Sequence, residues 1–375
     1  MIATQIIEYE NLHRLNKPYT EAYKAAFAEV LDRGWFILGK NVATFEEAFA
    51  AYLGVKYFVG LASGLDALEM PLKCADFEPR SEIIVPSNTY IATINAILNS
   101  GHIPVFVEPD INTYNIDARR IEEKITPRTR AIMVVHLYGK PCEMNAITAI
   151  SEKYNLLLVE DCAQSHGATF EGKMTGTFGV GAFSFYPTKN LGALGDAGGI
   201  ATNDETLYKK LKAWRNYGSN VKYYNEFIGD NSRLDEIQAG FLLEKLKDLN
   251  RITARKNEIA EMYLNNLKAD YILPTVDARL HNAYHIFPIR HKKREILRGY
   301  LAERGIKTEV HYPIAPCDQT SIKQFFAKQQ HLLDERDFVL SREIHATEIS
   351  LPCSQIHTNS EIEYVIEVLN RFETQ

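Results

Sequence analysis

Short apolar, β-branched runs alternate with amphipathic stretches through the first two thirds of the chain. The runs at Tyr57–Leu61, Ile83–Val85, Pro104–Val107, Ala131–Val135, Leu156–Glu160, Gly181–Phe185 and Gly199–Thr202 predict strands. They are nearly unbroken in apolarity, as strands covered on both faces must be. Between them lie segments such as Thr44–Leu53, with apolar residues at helical spacing and Gly54 as a stop. The alternation predicts an α/β domain with a mostly parallel, seven-stranded sheet flanked by helices.

From Arg233 to about Leu267 the pattern changes to one long, charged helical stretch. A strand at His285–Arg290 and a helix at Lys293–Arg304 follow, which predicts a smaller α+β domain. The boundary is expected near Leu249, giving domains 1–249 and 250–375. A chain of 375 residues exceeds the size at which one core usually stops growing. Tyr217–Ser232 is polar, aromatic and irregular, and long ordered loops are uncommon unless functional.

Composition narrows the function classes. The chain is 46% hydrophobic and 24% charged, as ordinary globular proteins are. A net charge of −6 gives no electrostatic reason to expect nucleic acid or an anionic membrane as partner. An anionic substrate must therefore be held by local groups. The first residues carry acids early and no long apolar run, so no signal peptide is read there, and no stretch approaches a membrane span. Five scattered cysteines without a CxxC pair point to a reducing cytoplasm.

Two segments carry chemistry. In LLLVEDCAQSHG, a buried strand ends on Asp161 and delivers its carboxylate to the carboxyl edge of the sheet, where α/β folds bind ligands. A turn cap is the competing role for such an Asp. In GAFSFYPTKNLGALGDAGG, another short strand leads to Lys189, with Ser184 five residues before it and a glycine-rich turn after. A lysine on such a turn is ordinarily a solvated surface residue. Once desolvated, it loses its proton readily and becomes a Schiff-base nucleophile.

The ordered blocks GWFILG, SGLDAL, PSNTYIAT, VHLYGKP, EDCAQSHGA, FSFYPTKNLGALGDAGG, NSRLDEIQAG and HYPIAP span nearly the whole chain. In these blocks it resembles the DegT/StrS family of nucleotide-sugar aminotransferases, enzymes of pyridoxal-phosphate fold type I. The resemblance implies pyridoxal 5'-phosphate as cofactor, held by Lys189 as a Schiff base. Asp161 would pair with the pyridine nitrogen and make the ring an electron sink. Gln164 would bond the ring hydroxyl, and Tyr90 would stack on the ring unless it is a core aromatic. Ser63, the Gly64 amide at a helix N-terminus and Ser184 would hold the phosphate. Asn231 would reach the phosphate from the neighbouring subunit of a homodimer with shared active sites; its structural alternative is an N-cap of the following helix.

On the sugar side the resemblance implies Gly34, Tyr186, His311 and Tyr312. The blocks look most like members that aminate dTDP-3-keto-6-deoxyhexoses, with glutamate as donor, giving dTDP-3-amino-3,6-dideoxy sugars for glycan or O-antigen synthesis. A 4-aminotransferase acting on a dTDP- or UDP-4-keto sugar is the alternative. A non-catalytic regulator binding the same cofactor is the alternative of another class, and the acidic chain shows no basic helix-turn-helix for it. Sugar dehydratases of this fold carry His in place of Lys189. Glu108, Leu65 and Gly240 depart from the family's usual Asp, Thr and Ala. The stretch GATFEGKM approaches a phosphate-binding loop but has Met174 where Ser or Thr is required. His281 and His285 lack a clustered third ligand, so no metal site is expected.

Overall fold

The computed structural model describes residues 6–221, 223–329, 333 and 337–373. Strands β1 (Tyr57–Leu61), β2 (Glu82–Pro86), β3 (Ile103–Val107), β4 (Thr129–Val135), β5 (Leu157–Asp161), β6 (Thr169–Phe170), β7 (Lys173–Met174), β8 (Val180–Ser184) and β9 (Gly198–Thr202) follow one another along the chain. All but β6 and β7 join one sheet in the order β1-β9-β8-β5-β4-β2-β3. The sheet is mostly parallel, as expected. Only β9 is reversed, antiparallel to both β1 and β8.

Both faces of the sheet are covered, which accounts for the unbroken apolar runs. Ile83, Val85, Ala131 and Met133 point into one cluster, with Leu68 and Leu72 of the helix Gly64–Cys74 and Ile94 and Ile97 of the helix Ile91–Asn99. Ile84, Ile132 and Val134 point the other way, against Met144 and Ile147 of the helix Met144–Tyr154. Each such aliphatic side chain contributes about 1.5–3 kcal/mol on burial. At the β1 end, Phe45, Phe49, Phe58, Phe183 and Phe185 pack edge to face and stacked. The helix carrying Phe45 begins at Lys40, four residues before the predicted start. The carboxylate of Glu236, from a distant helix, accepts from the amides of Asn41 and Val42 at 3.0 and 2.9 Å. That cap is invisible to local sequence.

The long charged stretch forms two helices, Glu236–Leu246 and Leu249–Asn266. At the break, Asp248 is drawn aside by the Tyr19 hydroxyl (2.8 Å) and the Arg251 guanidinium (2.9 Å). Beyond it, β10 (Leu280–His281) extends the β6/β7 hairpin, while β11 (Phe287–Arg290) pairs antiparallel with β12 (Glu348–Leu351). A second apolar cluster joins Tyr263, Phe287, Leu297, Leu301, Ile349 and Ile362, and Ile7 packs into it. The strand predicted from His285 begins at Phe287, after Tyr284 in a left-handed conformation.

The segment GATFEGKM is the β6/β7 hairpin. Glu171 and Gly172 both have positive φ (49° and 79°), the backbone of a two-residue hairpin turn. No phosphate loop is built there. Gly240, the departure from alanine, faces Asn41, whose Nδ2 would stand 2.9 Å from an added Cβ. No helix among the described residues is long and apolar enough to cross a membrane.

Candidate active site

The sheet brings the chemistry to one edge. Asp161 at the end of β5 pairs with Val135 of β4 and Ala182 of β8. Ser184 at the end of β8 pairs with Gly198, which also pairs with Leu61 at the end of β1. Because β9 is reversed, its first residue lies where its neighbours end.

Asp161 is buried. The hydroxyl of Thr93 donates to its Oδ2 at 2.9 Å and the amide of Ala163 to its Oδ1 at 3.1 Å. Burial raises its pKa; the two hydrogen bonds and the nearby Lys189 and His136 pull the other way. No cation among the described residues stands within ion-pair distance, so its charge is solvated only in part. A protonated ring nitrogen docked there would supply the missing partner. The turn-cap role is also met, through Ala163, and one carboxylate does both.

Lys189 follows β8 in a tight turn in which its amide donates to the carbonyl of Tyr186 at 2.8 Å. Gly192 closes the turn, since a Cβ there would stand 2.3 Å from the Pro187 carbonyl oxygen. Desolvation lowers the ammonium to about 8, partly opposed by Asp161. This is a lysine with a usable lone pair near neutral pH, not a solvated surface residue.

Ser63 caps the helix Gly64–Cys74, its Oγ accepting from the Asp66 amide at 3.1 Å. That leaves its own hydroxyl proton and the first helix amides free for an anion. Ser184 is pressed against this turn: a Cβ on Gly64 would stand 2.5 Å from Ser184 Cβ, and one on Gly198 only 2.2 Å from the Ser63 carbonyl oxygen. The two glycines allow strand ends and helix start to close into one cradle of hydroxyls and amides. Ser232 braces it from the 217–232 loop, accepting from the Ala62 amide at 3.2 Å and donating to Asp66 at 2.7 Å.

Gln164 is buried; its Oε1 accepts from the Tyr138 amide at 2.6 Å and its Nε2 donates to the Tyr312 hydroxyl at 3.1 Å. The Tyr312 ring lies 5.0 Å from that of Tyr90, which is half exposed, so Tyr90 is not a core aromatic. Tyr312 thus stands beside the cofactor candidates Tyr90 and Gln164. His311 lies next to it, its backbone carbonyl accepting from the Tyr138 hydroxyl.

Three expected residues are exposed to solvent. Gly34 ends the helix Thr20–Arg33 in a left-handed conformation, exposed, with nothing within 4 Å of an added Cβ. Tyr186 shares the Lys189 turn but turns half its side chain to solvent. Asn231 is exposed and bridged to Asn216. It does not cap the following helix, whose N-cap is Asp235.

Sequence reasoning passed over Thr93 and His166, and three histidines stand around Lys189. His166, His285 and His311 are each held neutral by desolvation, with Lys189 adding to the effect; His166 falls to about 3 and His311 to about 4. In the sequence His285 stands out only as a candidate metal ligand. His136, Glu160 and Cys162 bring ligand-type atoms within 4.8 Å of one another. Their capacity is already spent, since Glu160 accepts from the amides of Gly176, Phe178 and Gly179 and contacts His136 Nε2 at 3.1 Å. A cavity of about 680 Å³ lies elsewhere, lined by Asp110, Lys140 and Arg279. It holds none of the candidates, and Arg279 there is paired with Glu143 and Asp277.

Comparison with known proteins adds an independent line. The profile of the DegT/DnrJ/EryC1/StrS aminotransferase family matches residues 18–370. A dTDP-3-amino-3,6-dideoxy-alpha-D-galactopyranose transaminase from Aneurinibacillus thermoaerophilus is 49% identical over 369 residues, covering 98% of this chain and 99% of that one. The solved structure of Streptomyces venezuelae DesV superposes with a TM-score of 0.94 at 36% identity, over 98% of both chains. That of NtdA from Bacillus subtilis with bound cofactor PMP gives 0.90 at 31%, over 98% of this chain and 85% of that one.

Proposed function

The chain belongs to the DegT/DnrJ/EryC1/StrS aminotransferase family, and from that premise we propose that it transfers an amino group from glutamate to C3 of a dTDP-linked 3-keto-6-deoxyhexose. It is a sugar aminotransferase, and its cofactor is pyridoxal 5'-phosphate. The observation that carries the reading is the desolvated amine of Lys189 beside the buried carboxylate of Asp161, on a chain aligned end to end with a 3-amino-sugar transaminase.

When bound, the cofactor supplies an aldehyde that amines can join and a ring that accepts electrons. The residues of the chain do the rest. Lys189 would hold the cofactor through its amine and, once displaced by the amino donor, would have a free amine of lowered pKa able to take and return a proton at the reacting carbon. Asp161 keeps the ring nitrogen protonated, with Thr93 and the Ala163 amide fixing its orientation. Ser63, Gly64 and Ser184 receive the phosphate, the positive end of the helix Gly64–Cys74 favouring negative charge. Gln164 bonds the ring hydroxyl and Tyr90 covers the ring face. Gly34, Tyr186, His311 and Tyr312 orient the sugar.

Residues 1–249 hold the cofactor, and residues 250–375 bring His311 and Tyr312 to it. The protein works as a homodimer in which Asn231 reaches the partner's phosphate site. Support comes from the exposed large apolar side chains of Phe27, Leu31, Trp35, Phe36, Ile37 and Leu194, 42–64% exposed, of which Phe27 and Leu194 line one groove. The cytoplasm suits the five free, buried cysteines.

The deciding assay offers dTDP-3-keto-6-deoxyhexose and dTDP-4-keto-6-deoxyhexose separately, each with glutamate, and reads products by mass spectrometry. A ketone displaced by one ring carbon misses reacting distance, and errors on the order of 1 Å cost about a hundredfold. Faster amination of the 4-keto sugar would refute the C3 assignment.

A further inference from the structure

Behind His311 lies a buried carboxyl that no part of the proposed mechanism uses. Glu348, the first residue of β12, is wholly inaccessible to solvent. Its Oε2 accepts from the backbone amide of His311 at 2.7 Å, and its Oε1 is in short contact with the Ser350 hydroxyl. Ser350 Oγ lies 2.8 Å from His311 Nδ1. Carboxyl, hydroxyl and imidazole form one unbroken chain. We propose that Glu348, acting through Ser350, sets which ring nitrogen of His311 carries the proton, and so whether His311 presents a donor or an acceptor to the substrate. This rests on the placement of His311 beside the sugar.

The logic is one of hydrogen-bond polarity. Ser350 has one proton to donate and is flanked by two partners. When Glu348 is ionised it only accepts, so Ser350 donates to Glu348 and takes the proton of His311 Nδ1–H. Nε2 then carries a lone pair. When Glu348 is protonated it donates to Ser350, and Ser350 donates to Nδ1. Nε2 then carries the proton. Passing from the second state to the first releases one proton from Nε2, while the Ser350 proton moves to Nδ1 and the Glu348 proton moves to Ser350.

The surroundings make both states accessible. Burial pushes Glu348 up to about 8, while Ser350, the His311 amide, Arg294 and Arg298 oppose the rise. Arg294 spends its Nη1 on the carbonyls of His345 and Glu348, not on the carboxyl. The phenols that face Glu348, those of Tyr9, Tyr114, Tyr138 and Tyr312, are all held above their ordinary value and stay neutral meanwhile. His311 itself, lowered to about 4 by burial and then by Lys189, stays an uncharged ring throughout. What changes is the tautomer, not the charge. Glu348 and Ser350 are positioning residues, since neither touches the substrate.

The test is a pH titration of the full enzyme labelled with ¹⁵N-histidine, with the His311 signals identified by their loss in His311→Gln. In the wild type, His311 should pass from the Nε2–H tautomer below about pH 8 to Nδ1–H above it. Glu348→Gln should hold Nε2–H at every pH, because a carboxamide turned to accept the His311 amide presents its NH₂ to Ser350. Ser350→Ala should abolish the pH response, and Ser350→Thr, which keeps the hydroxyl, should restore it. The KM for the keto sugar should shift roughly tenfold across the same transition, the size of one hydrogen bond, and be flat in Glu348→Gln. A tautomer that is identical in the wild type, Glu348→Gln and Ser350→Ala overturns the proposal, even if amination proceeds. A tautomer that follows Glu348 upholds it, even if the sugar turned over is not the one proposed.

Discussion

Thr93 donates its hydroxyl to Oδ2 of Asp161 at 2.9 Å, with Thr89 standing 2.8 Å behind it. The bond favours the ionised carboxylate against a burial that disfavours it. Thr93→Val keeps the shape and removes the donor, so the Asp161 pKa should rise further. A hydrogen bond to a charged group contributes about 1.5–3 kcal/mol, so cofactor affinity should fall roughly ten- to a hundredfold. Equilibrium titration with the cofactor reads this directly. An unchanged affinity would show that Asp161 needs no help from Thr93.

Asp161→Asn goes further by deleting the charge. The rate of amination should fall about a thousandfold or more, some 4 kcal/mol of transition-state stabilisation, with the fold intact by circular dichroism. Activity within tenfold of wild type would remove Asp161 from the mechanism.

Lys189 has a pH signature of its own. Its pKa is lowered to about 8, so roughly one amine in ten is neutral at pH 7, against about one in three thousand for an unperturbed lysine. Because only the neutral amine attacks, cofactor capture by the cofactor-free enzyme should slow tenfold per unit below pH 8 and level off above it. Borohydride should then fix the cofactor to Lys189. A label on another lysine in peptide mapping, or turnover surviving in Lys189→Ala, contradicts the assignment.

The proposed sharing of the site between two subunits is tested by complementation. Asn231→Ala and Lys189→Ala chains, each inactive, should regain activity when mixed, because one site per heterodimer keeps both residues. Heterodimers that form yet stay inactive would place Asn231 within its own subunit's site, or in none.

The strands were legible because each is buried on both faces, and such a burial writes itself as an unbroken apolar run. The direction of β9 was not legible. Gly198–Thr202 reads the same whether the strand runs up or down, and only its pairing with Ser184 and Leu61 reveals the reversal. Lys189 and Asp161 stand at strand ends followed by turns, but their roles came from the family resemblance of the blocks around them, since position alone fits a surface lysine and a turn cap equally well. Thr93 lies within PSNTYIAT, and nothing local distinguishes a helix threonine that hydrogen-bonds a strand-end carboxylate from one that does not. Glu348 was beyond reach for the same reason, lying 37 residues from the histidine it contacts. At the break, Asp248 accepts from Tyr19, more than two hundred residues earlier, a contact no local window contains.

The reversal of β9 also fixes a length. Ser184 and Gly198 face each other on the same rung of the ladder, so residues 185–197 leave and return to a single point. The reactive amine rides on a closed ring of chain rather than on a passing connection. Adding or removing a residue in that ring cannot be absorbed by sliding a strand, because both feet stand on one rung and Phe185 and Ala193 are bonded across it. The enzyme is therefore least tolerant of altered spacing at this ring, while the β6/β7 hairpin, a two-residue turn outside the main sheet, is the natural place to graft new sequence.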